Sequence, residues 1–158
     1  MKTHLTKADK FIEILGWALV FTVWFFTIAS YSGLPETIPI HYSFSGEADA
    51  FGGKGNIFTS PLVATIFFTG LTILNKFPKL FNYPNNISSE DARRLYRNAS
   101  RLIRYLKLFL VIIFGLGSFQ TIRIAIGQSS ELGVWFLPLT LGLIFLPIIY
   151  FLIKGSRT

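Results

Sequence analysis

The sequence predicts an all-α polytopic membrane protein: a four-helix bundle with an ordered extracytoplasmic loop between helices 1 and 2. Three observations carry that expectation. Of 158 residues, 51% are hydrophobic, and the mean hydropathy is +0.52. Charged residues make up only 15%, against about 25% in soluble domains. A span needs roughly 20 apolar residues, so about 81 such residues fill about four spans. This composition excludes a disordered chain, a nucleic-acid-binding soluble domain and an ordinary water-soluble enzyme. With no Cys, disulfides, Cys-ligated zinc and thiol catalysis are excluded as well.

The first apolar run covers about 12–31, interrupted near its start by Glu13, with Trp17 and Trp24 seven apart on one face. It follows Lys2, Lys7 and Lys10, as a signal peptide would. However, it is longer than the roughly 7–15 residues of a secretory h-region and lacks a small-x-small cleavage site, so it reads as a retained anchor. The second run, 57–74, carries Thr65, Thr69 and Thr72 on one face near Gly70, a pattern suited to close helix packing. The third, 106–126, holds Gly115, Gly117, Gln120 and Arg123. The fourth, 132–153, contains Pro138 and Pro147, which a bilayer helix tolerates as kinks.

The connecting charges alternate by side. Lysines precede span one, and Glu36, Glu47 and Asp49 outweigh Lys54 in the first loop. Lys76, Lys79, Arg93, Arg94, Arg97, Arg101 and Arg104 come after span two; Glu131 lies alone in the next turn; Lys154 and Arg157 end the chain. The net charge of +7 therefore reports topology, with both termini expected to be cytoplasmic. Tyr31 and Trp135 are the expected outer interface anchors, Tyr105 and Tyr150 the inner ones. The sequons Asn86-Ile87-Ser88 and Asn98-Ala99-Ser100 then lie on the wrong side for glycosylation.

Ser88-Ser89-Glu90-Asp91 reads as a helix start, hydroxyl cap first and acids at the positive end of the dipole. Leu95, Ala99, Leu102 and Leu106 share one face of the helix it opens. Unbroken through span three, residues 89–126 would reach roughly 57 Å, beyond a ~30 Å hydrocarbon core. The basic face (Arg93, Arg94, Arg97, Arg101, Arg104) is expected to be a solvated topology signal that also meets anionic lipid headgroups. It lacks the interleaved aromatics of an RNA platform, so no nucleic-acid partner is expected.

The loop after span one is the most patterned segment. Apolar residues at 38, 40, 42 and 44 alternate with Pro39, His41 and Ser43, the period of a strand. Pro35 and Pro39 prevent helix, Ser45-Gly46 offers a turn, and Gly52, Gly53 and Gly55 form a bend before Pro61 opens span two. His41, Glu47 and Asp49 can each present a lone pair for metal binding or proton transfer, but without helical ligand spacing. A hydrogen-bonded His41 and an Asp49 that caps a turn explain the same residues, and neither metal nor cofactor is expected. Gly52-Gly53-Lys54-Gly55 fails the phosphate-loop form, because Ala48 holds the first glycine position and Gly55 comes directly after the lysine. Arg123 near the outer end of span three either snorkels or pairs with Glu47, Asp49 or Glu131, with Gln120 one turn deeper.

Leu34, Pro35, Ile38, Pro39, His41, Gly46, Asp49, Lys54 and Pro61 together resemble the family of domain of unknown function 1648, over roughly residues 30–80. Its best-known members are bacterial membrane proteins similar to the immunity protein of the sporulation-delaying toxin system, which implies a bacterial inner-membrane location. The resemblance implies a membrane protein that protects its cell and relays the toxin's presence to a repressor, so a peptide or protein ligand at the outer loop is expected. The leading expectation is thus a non-enzymatic binding or immunity-type protein with His41, Glu47, Asp49, Gln120 and Arg123 as its binding residues. The alternative is a small transporter or membrane enzyme using a polar cluster at the outer end of the bundle.

Overall fold

The computed structural model of the chain describes residues 5–77 and 89–156. The first sequon, Ser88, Lys79 and the terminal Lys2 and Arg157 lie outside the described residues. Four helices run α1 (Lys7–Tyr31), α2 (Thr59–Leu74), α3 (Ser89–Ala125) and α4 (Phe136–Ser156), each part of a segment long and apolar enough to cross a membrane. Two short strands, β1 (Thr37–Tyr42) and β2 (Ala48–Gly53), form an antiparallel hairpin between α1 and α2.

α1 begins earlier than its apolar run because Thr6 and Asp9 form a capping box. Asp9 N–H donates to Thr6 Oγ1 at 3.2 Å, while Thr6 N–H donates to Asp9 Oδ2 at 2.9 Å. α2 continues from a 3-10 turn, Lys54–Phe58, and admits Pro61 in its first turn, where no intrahelical N–H is needed. α3 is one continuous helix of 37 residues, about 55 Å long, whose first half is polar and whose second half is apolar. The fourth helix starts at Phe136 rather than Leu132, because Gly133 at φ +88° turns the chain first. A Cβ on Gly133 would lie 2.6 Å from Trp135 Nε1, so glycine is required there twice over.

α3 is the hub: α1, α2 and α4 all pack on it. At mid-bundle, Phe68 of α2 is fully buried against Val20 of α1 and Val111 of α3. Gly16 makes this close approach possible, since any Cβ there would overlap the Phe68 ring. Gly115 likewise admits α1, because a Cβ would sit 2.8 Å from Val23 Cγ2. Trp24 Nε1 donates to Thr65 Oγ1 at 2.9 Å, and the hydroxyls of Thr27 and Ser118 meet at 3.2 Å. Gly70, expected at a tight contact, faces open space.

Candidate functional site

The hairpin is built from alternation, two prolines and a glycine. Ile38 of β1 turns inward and joins Leu34, Ile57 and Ile122 in a buried apolar cluster backed by Tyr31 and Phe58. The tip is a turn in which Gly46 N–H donates to the Ser43 carbonyl at 2.9 Å, with Gly46 at φ +89°. The bend expected at Gly52–Gly53 is instead the end of β2, where Gly53 pairs with Thr37. Glycine-rich chain masks strand character; here Gly52 leaves room for Ile40, whose Cγ2 would be 3.1 Å from an added Cβ.

Two register shifts set the exposed pair. Between Pro39 and His41 the extra residue is Ile40 on β1; between His41 and Tyr42 it is Asp49 on β2. The second shift brings Asp49 alongside His41, and Nδ1 meets Oδ1 at 2.6 Å. Their side chains are 69% and 46% exposed. Glu47 stands nearby but accepts from Ser45 Oγ at 3.3 Å, while its backbone pairs with Glu131.

Two hydrogen bonds besides the apolar cluster fasten the hairpin to the bundle, and an ion pair closes its base. Tyr42 Oη and Thr121 Oγ1 share a hydrogen bond of 2.8 Å, and Leu132 N–H donates to the Gly46 carbonyl at 2.9 Å. Lys54 Nζ donates to Glu36 Oε1 at 2.8 Å across the base. Half-burial raises the Tyr42 hydroxyl above the ordinary tyrosine pKa, against the opposing hydrogen bond from Thr121.

Gln120 and Arg123 form a separate pair. Buried Gln120 donates from Nε2 to the Leu132 carbonyl at 3.1 Å and accepts from Arg123 Nη1 at 3.3 Å. Arg123 Nη2 donates to the Gln128 carbonyl at 3.3 Å. Among the described residues Arg123 has no carboxylate within ion-pair distance, because its guanidinium is turned to these neutral acceptors. The transporter or enzyme alternative draws on His41, Asp49, Gln120 and Arg123 together. No hydrogen bond or ion pair among the described residues links the first two to the last two.

Beneath the hairpin lies a cavity of about 490 Å³. Ile38, Ile40 and Tyr42 border it from the hairpin, Phe114 and Gly117 from α3, and Phe136 from α4. Asn56, Thr59, Ser60 and Thr121 add polar atoms, giving an apolar space with a few hydrogen-bonding groups, the usual character of a ligand site. Outside it, Phe44 at the tip is 95% exposed, and Phe51 is exposed too.

The opposite end of the bundle holds an ionic cluster that inspection of single segments missed. Lys107 of α3 has no exposed surface; its Nζ donates to Glu13 Oε2 of α1 and Thr72 Oγ1 of α2, both at 2.6 Å. It also lies 4.4 Å from the Phe68 ring centroid. Arg104 reaches Asp9 Oδ1 at 3.5 Å, and its Nε is 3.3 Å from Glu13 Oε1 without the alignment of a hydrogen bond. Arg101 Nε lies 3.6 Å from the same Asp9 oxygen. Arg104, expected to meet lipid headgroups, is therefore buried in an ion pair; Arg93, Arg94 and Arg97 are exposed. The usable signal was a carboxylate inside the first apolar run and a lysine inside the third, since buried charges occur in pairs. Asn98 and Ser100 of the second sequon are buried in α3, and Asn75 donates to the Ser100 carbonyl at 3.2 Å.

Comparison with known proteins places the hairpin within a recognised unit. Residues 18–65 match the family model "Domain of unknown function (DUF1648)". That segment contains the second half of α1, the hairpin and the start of α2, so it carries all nine residues of the Leu-Pro to Pro61 motif. Its motif residues are largely builders: Leu34 and Ile38 form the core, Gly46 the turn, Lys54 the base and Pro61 the start of α2. An uncharacterised protein of Archaeoglobus fulgidus is 28% identical over an alignment of 116 residues that covers 68% of this chain and 63% of the relative. The aligned region thus spans less than two thirds of that relative's length. No solved structure matches the chain.

Proposed function

We propose that the protein is a non-enzymatic binding protein of the cytoplasmic membrane, of immunity or signalling type, that holds an apolar peptide or protein segment beneath its outer hairpin. Its termini and the exposed Arg93, Arg94 and Arg97 then face the cytoplasm and its anionic headgroups, a reading supported by the charge alternation of the connecting segments. The cavity of about 490 Å³ carries this reading. It is bordered by a docked hairpin and is of the size that small ligands or a few apolar side chains occupy. His41 and Asp49, exposed on the hairpin above, supply a polar contact for the same ligand.

The test uses a cationic amphipathic helical peptide bearing a diazirine, photolysed with the protein in liposomes and mapped by mass spectrometry. Adducts should concentrate on the hairpin and on residues 113–121. Gly117→Leu, which puts a side chain into the cavity, should lower the yield several-fold, while the lipid-facing Phe25→Leu should leave it unchanged. Adducts spread evenly over the exposed faces of α1 and α4 would sink the reading.

A further inference from the structure

A second cavity runs along α4 and reaches the end of the bundle opposite the hairpin. α4 packs chiefly on α3, which leaves a groove of about 720 Å³ between α4 and α1. Ile12 of α1, Tyr105 and Phe109 of α3, and Leu143 and Leu146 of α4 make it apolar along most of its length. From Pro138 to Lys154 it runs along α4 for about 24 Å, more than the ~15 Å depth of one leaflet's hydrocarbon. Its charge is confined to one end, where Asp9, Arg101 and Lys154 meet its rim.

The rim has a positive excess. Asp9 is already bracketed by Arg101 at 3.6 Å and Arg104 at 3.5 Å. Lys154 rests over the rings of Tyr150 and Phe151, at 5.5 and 6.0 Å, and has no carboxylate within ion-pair distance among the described residues. A long apolar slot with cations at its headgroup end matches a molecule with an acyl chain and an anionic head. A second copy of α4 seated there would bring another Lys154 toward the same cations or leave them without an anion, which charge opposes.

We infer that the α1–α4 groove is a binding site for one anionic phospholipid, its acyl chain along Phe109 and Leu143 and its phosphate at Arg101 and Lys154. This site is distinct from both the hairpin cavity and the exposed arginines of α3.

Native mass spectrometry of the detergent-purified protein tests it, with phosphatidylglycerol and phosphatidylcholine of identical chains as probes. Phosphatidylglycerol should be retained one to one and preferred at least about fivefold. Lys154→Gln should bring that preference most of the way to parity without altering phosphatidylcholine retention or the melting temperature. Gly142→Phe, at a position where an added Cβ meets only Leu146 Cδ1 at 3.8 Å, should reduce retention of both lipids. Equal retention of the two lipids by the unaltered protein, or an unchanged preference in Lys154→Gln, would overturn the inference. So would a dimer that Gly142→Phe dissociates, which would give the groove to a second copy. Should Gly142→Phe not fold, the Lys154→Gln preference decides alone.

Discussion

The two ends of this bundle are closed by opposite means. At the end where α1 begins and α4 ends, α1, α2 and α3 are tied by Asp9, Glu13, Thr72, Arg104 and Lys107, with the lysine sealed from solvent. At the other, an aliphatic cluster of Leu34, Ile38, Ile57 and Ile122 and a few neutral hydrogen bonds hold a hairpin over a cavity. Buried ion pairs are stiff and intolerant, because removing one partner strands the other charge. Apolar contact is graded and forgiving, so a hairpin held that way can shift without losing all its anchorage. On the proposed reading, the ionic end is fixed architecture and the hairpin end is where a ligand would exchange.

The ionic end gives the largest expected effect. Glu13→Ala leaves Lys107 buried with Thr72 as its remaining hydrogen-bond partner, which should cost about 3–5 kcal/mol in denaturant titration of the detergent-solubilised protein. The double variant Glu13→Leu with Lys107→Met should recover most of that loss, since no charge is then stranded. A double variant as unstable as the single one would mean that the cluster is more than a paired set of charges.

The middle layer comes next. Gly16→Ala places a Cβ within the Phe68 ring, so α1 and α2 must separate, for roughly 1–3 kcal/mol of lost stability. Gly70→Ala, facing open space, should be neutral or slightly stabilising by the same measurement.

At the hairpin end the effect should be local. Ile38→Ala removes the central side chain of the aliphatic cluster, so β1 and β2 amides should exchange with deuterium much faster while the helices keep their protection. Tyr42→Phe should loosen the same amides by about 0.5–1.5 kcal/mol. It also isolates a pH effect with a definite sign. Burial raises the Tyr42 pKa, so its contribution is complete below the ordinary tyrosine range and lost as pH rises through the raised value. Alkaline loosening of the hairpin should be weaker in Tyr42→Phe.

The same contrast explains what could be read from the sequence. Four apolar runs, the alternation at 38–44 and the Gly46 turn are local patterns, and the helices, β1 and the turn stand where those patterns lie. β2 was hidden because Ala48–Gly53 contains two glycines and little β-branched character. The ionic cluster was hidden for another reason. Lys107 lies 94 residues from Glu13 and 35 from Thr72, so each charge alone reads as an interruption or a boundary. Arg101 and Arg104 were legible as cations but not as paired ones, because pairing is decided by how α1 sits against α3.

The smallest expected effect concerns Arg123. Its guanidinium touches no hairpin residue through a hydrogen bond or ion pair among the described residues; it bonds Gln120, which in turn holds the Leu132 carbonyl, while Leu132 N–H bonds Gly46. Any influence on the hairpin passes indirectly, through Gln120 or through the turn from Gln128 to Glu131, whose backbone pairs with Glu47. Arg123→Leu should therefore leave hairpin exchange rates nearly unchanged, within the ±0.5 kcal/mol typical of surface substitutions. Gln120→Leu, by contrast, strips the buried Leu132 carbonyl of its Gln120 donor and should cost about 1–3 kcal/mol in the same exchange assay. If Arg123→Leu proves as damaging as Gln120→Leu, the arginine anchors the hairpin electrostatically. The hairpin end would then depend on a charge, as the other end does, and the division between a fixed end and an adaptable one would fail.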